Sequence, residues 1–167
     1  MTLACGALIG ALALLMIELR LSRVHERQLR ARGAIAPDDP AYATMRWVYP
    51  GAFVAMAIEG ALSGIPRPAI VETGILVFLA SKLLKAWAIR TLGIRWTYRV
   101  FILPGEPLVT GGPYRLMRHP NYLAVIGELG GMALAVGARV AGPVAIAWFV
   151  WLLRRRIAAE EHALHLR

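Results

Sequence analysis

Three long apolar segments, at residues 3–19, 47–65 and 69–92, most strongly limit what this chain can fold into. A helix needs about 20 predominantly apolar residues to cross the roughly 30 Å hydrocarbon core of a bilayer. Hydrophobic residues make up 58% of the 167 residues and charged residues only 17%, which is more apolar than a soluble domain of this size can bury. The sequence therefore predicts an all-α integral membrane protein, with residues 1–167 in a single membrane domain.

Two shorter apolar runs, residues 121–136 and 140–153, flank a turn at residues 137–139. At 1.5 Å per residue, runs of roughly 14–16 residues reach only about 21–24 Å, so they suit a packed helical hairpin better than two independent spans. From residue 151 onward, apolar residues at helical spacing predict a cytoplasmic C-terminal amphipathic helix. We expect about five transmembrane helices, the last two forming the short hairpin.

The distribution of lysine and arginine predicts the orientation. The connections at residues 22–46 and 93–119 carry five and four such residues and the C-terminal tail four, whereas the turns at 66–68 and 137–139 carry one each. By the positive-inside rule, both long loops and the C-terminus lie in the cytoplasm and the N-terminus lies outside. Abundant arginine favours a bacterial source, so we expect the bacterial cytoplasmic (inner) membrane, with the candidate functional groups at its cytoplasmic face.

Charge and cysteine content exclude several classes of function. The net charge of +9 does not predict a nucleic-acid partner, because the arginines flank apolar segments and no nucleic-acid motif is present. The single cysteine, Cys5, excludes an internal disulfide and a cysteine-based zinc site. We expect no metal, expect membrane lipids as surroundings, and leave the oligomeric state open.

Residues 111–122, GGPYRLMRHPNY, are the only place in the sequence where two arginines, a histidine, two tyrosines and an amide lie within ten residues. A residue before proline is disfavoured in a helix, whereas proline suits the first helical turn, so a helix should begin at Pro120 with His119 near its N-cap. The unpaired amides there, with Arg115 and Arg118 just before them, favour an anion site. The alternative is that these side chains have only structural roles. The arginines would then follow the positive-inside rule, Tyr122 would lie at the membrane interface, and His119 would cap the helix. Gly111 and Gly112 do not indicate a dinucleotide-binding loop, because no strand–glycine–helix pattern surrounds them.

Glu128 lies inside the fourth apolar run, on the same helical face as Asn121. An acid within an apolar segment is costly and is by default a functional candidate. The alternative is a structural ion pair with Lys82, Lys85 or Arg139. Both interpretations stay open from the sequence, and the same ambiguity applies to the acid of the second span, at position 59.

A stripe of small residues, Gly127, Gly131 and Ala135, follows the fourth run at helical spacing. Small side chains allow two helix backbones to approach closely in a membrane. The stripe therefore predicts helix packing.

The tail carries an acidic pair, Glu160 and Glu161, in the gap of its apolar stripe. Arg156 precedes Glu160 by four residues, the spacing of a helical ion pair. Directed at the membrane face, the acidic pair suits recognition of a cation or of a ribose diol. The alternative is a solvated run of charges.

Together these residues resemble the integral membrane methyltransferases of the isoprenylcysteine carboxyl methyltransferase (ICMT) family, with phosphatidylethanolamine methyltransferases as more distant relatives. The resemblance covers roughly residues 85–166 and depends most on the motif RHPNY before a hydrophobic hairpin and a terminal glutamate pair. The matching residues are 91–93, 96–100, 112–115, 118–122, Glu128, 156–157, 160–161 and Leu164.

The apolar runs predict three spans and a cytoplasmic loop in residues 1–92, and the resemblance implies a cofactor-binding catalytic half in residues 93–167. It implies S-adenosylmethionine as cofactor, S-adenosylhomocysteine as product, and a lipophilic small-molecule or lipid-like acceptor that enters from the bilayer. The catalytic residues that it implies are Arg118, His119, Tyr122 and Glu128. The cofactor-binding residues that it implies are Tyr114, Arg115, His119, Pro120, Tyr122, Arg156, Glu160 and Glu161.

The chemistry of methyl transfer narrows the acceptor. A carboxylate needs orientation but no base, whereas a neutral hydroxyl needs a base, for which His119 is the best candidate because histidine exchanges protons near neutral pH. Transfer from a sulfonium to an anion removes both charges and is favoured where water is excluded. We therefore expect a lipophilic carboxylic acid, or an acidic enol or phenol, and a prenylated protein would be unexpected in a bacterium.

Two other functions stay open from the sequence. Membrane reductases of the sterol type share a related C-terminal architecture and use NADPH. A non-catalytic helical membrane subunit would need no cofactor at all.

Overall fold

The computed structural model describes residues 2–37, 39–103 and 106–165, without the side chains of Pro40 and residues 158–165. Within these residues the chain is helical apart from one isolated β-bridge, which confirms the all-α prediction. Two short 3₁₀ turns cover Gly93–Arg95 and Gly112–Arg115. The α-helices are α1 (Thr2–Ala31), α2 (Pro40–Ser63), α3 (Pro68–Leu92), α4 (Pro120–Val136) and α5 (Ala141–His165).

The helix ends follow local sequence signals. Helices α2, α3 and α4 each begin at a proline, whose missing N–H is not needed in a first turn, and the predicted start at Pro120 is confirmed. Asp39 caps α2, its Oδ1 accepting a hydrogen bond of 2.9 Å from the Tyr42 amide. Gly137 ends α4 in the left-handed conformation, with φ 76° and ψ 30°.

Three helices extend beyond the apolar runs that predict them. The sequence predicts that the long loop at residues 22–46 is helical at first, over residues 23–32, and is broken at Gly33, and α1 confirms this by continuing to Ala31. Helix α2 begins at Pro40, seven residues before the apolar run at 47–65. Helix α5 passes residue 151 without a break, so the second hairpin arm and the predicted C-terminal amphipathic helix are one helix. The added residues of α1 and α5 include no glycine or proline that would end the helix. A change from apolar to amphipathic patterning does not itself break a helix, so both helices continue.

The outer surface is apolar and the interior contains charge. Leu62 and Leu83 are 83% and 72% exposed, whereas Lys85 and Glu128 are 1% and 0% exposed. Large exposed apolar surfaces and enclosed charges are typical of a protein surrounded by lipid. By length and composition, α1 is the one described helix that qualifies as a membrane span, and α4 is apolar but shorter. The number of spans stays a prediction.

Helices α3 and α4 pack with their backbones in contact. A methyl group on Gly131 would lie 2.8 Å from the Gly74 carbonyl oxygen and 2.5 Å from the Phe78 amide nitrogen. A methyl group on Gly127 would overlap the Ser81 hydroxyl. The small-residue stripe therefore does what the sequence predicted, since any larger side chain would separate the two helices.

The two long polar loops lie side by side. Ile35, just after α1, and Ile102, between α3 and α4, form the isolated antiparallel bridge with two hydrogen bonds of 2.9 Å. This contact brings the end of α1 against the segment that precedes the RHPNY motif. Three side chains of α1, those of Glu18, Ser22 and His25, also contact this segment.

Candidate functional site

A cavity of about 650 Å³ lies where the segment between α3 and α4 meets the start of α4 and the second half of α5. Ligand pockets commonly have volumes of about 300–1,000 Å³. A second cavity of about 510 Å³ lies at the α2–α3 and α4–α5 turns and has a mostly apolar lining. Among the described residues, none of the predicted site residues lines this second cavity. The first cavity is lined by Leu92, residues 95–101, residues 108–110, Tyr114, Arg118, His119, Asn121, Tyr122 and Arg156.

The start of α4 places the motif at the cavity. His119 is the N-cap residue, and its carbonyl oxygen accepts the Tyr122 amide at 3.2 Å. Its side chain makes no capping hydrogen bond. Instead the imidazole stacks on the Tyr122 ring, with centroids 5.2 Å apart and planes 13° from parallel. The two side chains form one flat surface on the cavity wall, and we call them the stacked pair.

A glycine fixes the turn that precedes the motif. Gly112 has a φ of 53°, and a side chain there would overlap the Thr91 hydroxyl and approach the Trp87 indole nitrogen to 3.1 Å. Only glycine permits both this backbone conformation and this close approach to α3. The 3₁₀ turn that it begins carries Tyr114 to the cavity lining, while Arg115 is exposed outside it.

Arg156 joins four parts of the fold. It is 6% exposed, and its Nε lies 3.6 Å from Oδ2 of Asp39, the cap of α2. Its Nη2 donates a hydrogen bond to the carbonyl oxygen of Tyr98, and its guanidinium carbon lies 5.9 Å from the Tyr122 ring centroid. The predicted helical partner, Glu160, has its side chain outside the described residues. Arg156 is therefore anchored from α2 and from the cavity wall.

Tyr98 is held at each of its polar groups. Its amide donates to Ser22 Oγ at 2.9 Å, its hydroxyl donates to Glu18 Oε2 at 2.7 Å, and its carbonyl accepts from Arg156. Burial, and then the neighbouring Glu18 charge, raise the pKa of the Tyr98 phenol far above its usual range. The hydroxyl therefore stays protonated and keeps donating to Glu18.

Glu128 belongs to a buried set of four charges. Its carboxylate lies 2.9 Å from Lys82 and 2.7 Å from Lys85. Glu18 lies 2.7 and 3.2 Å from the same two lysines, and Tyr49 donates its hydroxyl to Glu128. We call Glu18, Lys82, Lys85 and Glu128 the ion quartet. The structural ion pair, one of the two interpretations of Glu128, is present; a catalytic role for Glu128 stays a prediction.

The structure also shows what the acid of the second span, Glu59, contacts. The carboxylate of Glu59 accepts the amides of Val140 and Ala141 at 2.9 and 2.6 Å. These amides open α5 and have no helical partner of their own. Glu59 therefore caps a neighbouring helix.

The described part of the cavity lining is cationic. Four arginines, at positions 95, 99, 118 and 156, line it, and the described lining residues include no carboxylate. Arg95 forms an ion pair with Glu106 outside the lining and donates to the Pro107 carbonyl at 2.6 Å. Within the part of the chain that the structure describes, no three His, Cys, Asp or Glu side chains are grouped to hold a metal ion.

The structure brings together five of the predicted site residues: Tyr114, Arg118, His119, Tyr122 and Arg156. Three others, Arg115, Pro120 and Glu128, are not in the lining. The side chains of Glu160 and Glu161 lie outside the described residues. The functional roles of all ten stay predictions.

Sequence reasoning missed the wall residues Trp96 and Tyr98 as parts of the site, although their segment was part of the family resemblance. It also missed Glu18 and Ser22, which contact that wall. Their spacing of four residues at the polar end of an apolar run was the available signal, but it is equally typical of a helix leaving a membrane.

The protein has an apolar outer surface, a helical fold, and a cavity at the RHPNY motif that is lined by arginines and aromatic side chains. These features together are typical of a membrane enzyme. The chain belongs to the isoprenylcysteine carboxyl methyltransferase (ICMT) family, whose family model matches residues 74–166. The family consists of membrane methyltransferases that use S-adenosylmethionine, so this chain is a membrane methyltransferase.

Two bacterial relatives match nearly the whole chain. The uncharacterized protein YpbQ of Bacillus subtilis (strain 168) is 31% identical over 148 residues, covering 88% of each chain. An uncharacterized protein of Haemophilus influenzae (strain ATCC 51907 / DSM 11121 / KW20 / Rd) is 27% identical over 154 residues, covering 92% of this chain and 90% of the relative. No solved structure matches the chain significantly.

Proposed function

We propose that this protein is an S-adenosylmethionine-dependent O-methyltransferase that acts at the cytoplasmic membrane face on a lipophilic acceptor. The reacting group of the acceptor is a carboxylate or the oxygen of an acidic enol or phenol. The observation that carries the proposal is the cavity, which unites residues from the 3₁₀ turn, the start of α4 and the middle of α5.

The residues at the cavity fit the cofactor. S-adenosylmethionine has a carboxylate, a flat purine, a ribose diol and a cationic sulfur. The Arg118 guanidinium suits the carboxylate, and the stacked pair offers aromatic faces to the purine or to the cation. Asn121 and Thr110, also in the lining, carry polar groups that suit the ribose hydroxyls. The glutamate pair of the tail would complete the site from α5.

The charge of the cavity supports an anionic acceptor. Of the four arginines in the lining, Arg95 and Arg156 form ion pairs with Glu106 and Asp39. The positive charges of Arg99 and Arg118 favour a carboxylate, enolate or phenolate and disfavour an ammonium ion. Of these, Arg118 is exposed at the cavity and is placed to orient the acceptor or the cofactor carboxylate. This charge pattern argues against the amine chemistry of phosphatidylethanolamine methyltransferases.

The residues at the cavity would orient the reactants, exclude water and accept a proton. When bound, the cofactor supplies a methyl group on a positively charged sulfur. Arg118 orients the acceptor anion or the cofactor carboxylate, and Tyr122 orients the acceptor oxygen, so that little freedom remains to be lost in the transition state. The apolar surroundings exclude water, which favours a reaction that consumes opposite charges. For a neutral enol or phenol, the imidazole of His119 accepts the acceptor proton.

A methyl-transfer assay on acceptors that share one alkyl chain tests this proposal. The panel contains a carboxylic acid, a phenol, an acidic enol and a primary amine, presented in nanodiscs with labelled cofactor. We expect methyl esters or ethers from the oxygen acids, and loss of at least about tenfold in kcat/KM for Arg118→Ala, since a lost charged contact costs about 1.5–3 kcal/mol.

Arg67→Ala is the matched control, because Arg67 is an exposed arginine in the α2–α3 turn, outside the lining of the cavity. It should retain the activity of the natural chain. A product formed from the amine alone would overturn the acceptor class.

A further inference from the structure

Helix α1 contacts the cavity wall through one polar face, formed by Glu18, Ser22 and His25. Spacings of four and three residues place the three side chains on the same side of a helix. The first two bind the hydroxyl and the amide of Tyr98, at 2.7 and 2.9 Å. His25 Nδ1 donates to the carbonyl oxygen of Trp96 at 2.8 Å. Three successive residues of one helix face thus fix this part of the wall.

Glu18 is itself fixed. Lys82 and Lys85 of α3 hold its two carboxylate oxygens at 2.7 and 3.2 Å, and its side chain is 11% exposed. The Tyr98 hydroxyl therefore donates to a carboxylate that cannot move far. Hydrogen bonds to an ionised acceptor are about twice as strong as neutral ones.

A continuous series of contacts leads from Glu18 to the stacked pair. Tyr98 uses its hydroxyl on Glu18 and its carbonyl on Arg156. The Arg156 guanidinium lies over the Tyr122 ring at 5.9 Å, and that ring stacks on His119 at 5.2 Å. Displacement of Tyr98 would release one of the anchors of Arg156, which in turn covers one side of the stacked pair.

We propose that Glu18 is a positioning residue for the cofactor cavity, acting through Tyr98 on Arg156 and the stacked pair. The identity of the ligand rests on the proposed function, whereas the control of the wall segment does not. Glu18 lies outside the residues 74–166 that match the family model. In this protein α1 is therefore part of the site as well as a candidate membrane span.

Two variants separate positioning from simple stability. Tyr98→Phe deletes one hydroxyl and leaves both the ring in the cavity wall and the ion quartet. Its matched control is Tyr49→Phe, which deletes a hydroxyl bound to the other carboxylate of the quartet, Glu128, and which lies outside the cavity lining. Glu18→Gln removes the charge itself and is the second test variant, so the experiment does not depend on one protein folding.

The first measurement is hydrogen–deuterium exchange of residues 96–102 in the ligand-free protein in nanodiscs. We expect faster exchange there in Tyr98→Phe and Glu18→Gln, and unchanged exchange in Tyr49→Phe. The second is the Kd for S-adenosylhomocysteine, which should rise about tenfold in the first two variants and stay unchanged in the control.

Equal exchange and equal Kd in all three variants, with only a lower Tm, would overturn the positioning role. Failure of the natural chain to bind S-adenosylhomocysteine would instead overturn the proposed function. In that case the exchange of residues 96–102 still decides whether Glu18 holds the wall.

Discussion

Lys85 Nζ lies 2.7 Å from Glu128 Oε1, with the two side chains 1% and 0% exposed. The contact lacks the alignment of a hydrogen bond at Oε1, so it is held by charge. Because Glu18 and Lys82 complete the ion quartet, two positive and two negative groups balance inside an apolar protein. The quartet joins α1, α3 and α4 at the level where the cavity wall begins.

Removal of one member of the quartet should destabilise the protein strongly. We expect Lys85→Met to cost about 3–5 kcal/mol, because it leaves two buried carboxylates with one lysine. The measurement is reversible unfolding in detergent, with Arg90→Met, an exposed change on the same helix, as control. Adding Glu128→Gln to Lys85→Met should recover part of the loss. A change in Tm no larger than that of the control would contradict the structural role of the quartet.

The contact between α3 and α4 gives a second prediction. Gly131→Ala should destabilise the fold by about 1–3 kcal/mol, because its new methyl group would press against the backbone of α3. Gly10→Ala in α1 is the matched control: a methyl group there meets nothing within 4 Å, and it should be neutral or slightly stabilising. Thermal unfolding of both variants measures the difference. Equal Tm values would show that the helices are farther apart.

The predicted orientation can be tested with single cysteines. In a Cys5→Ala background, Arg67→Cys should react with a membrane-impermeant maleimide in intact spheroplasts, because the α2–α3 turn is expected outside. Glu106→Cys, in the long segment that leads to the RHPNY motif, should react only after the membrane is opened. Both positions are exposed, so accessibility does not bias the comparison. The reverse pattern would place the cavity on the other side of the membrane.

The apolar runs predicted the positions of α3 and α4 closely, because prolines and glycines mark where those helices begin and end. They did not predict the full lengths of α1, α2 and α5, and α2 begins seven residues before its run. The signals used were composition and periodicity, and a helix can continue through a change in either as long as no residue interrupts its backbone hydrogen bonds.

The candidate site also contains residues that the sequence predicted and residues that it did not. His119 and Tyr122 were predictable because a proline and a short motif determine their local geometry. The role of Glu18 was not, since its partner Tyr98 lies 80 residues away in sequence and depends on how α1 packs. For Glu128 the structure shows the ion pair with Lys82 and Lys85, which depends on how α3 packs against α4. A catalytic role for Glu128 stays a prediction.

Calorimetric titration of the protein in nanodiscs with S-adenosylhomocysteine, followed by NADPH, tests the central claim most directly. We expect saturable binding of S-adenosylhomocysteine and none of NADPH. His119→Ala removes half of the stacked pair and Glu161→Ala removes a predicted ligand, so each should weaken binding about tenfold or more, while Arg67→Ala should not. Saturable binding of NADPH, or binding of neither compound, would contradict the assignment of this cavity to a methyltransferase.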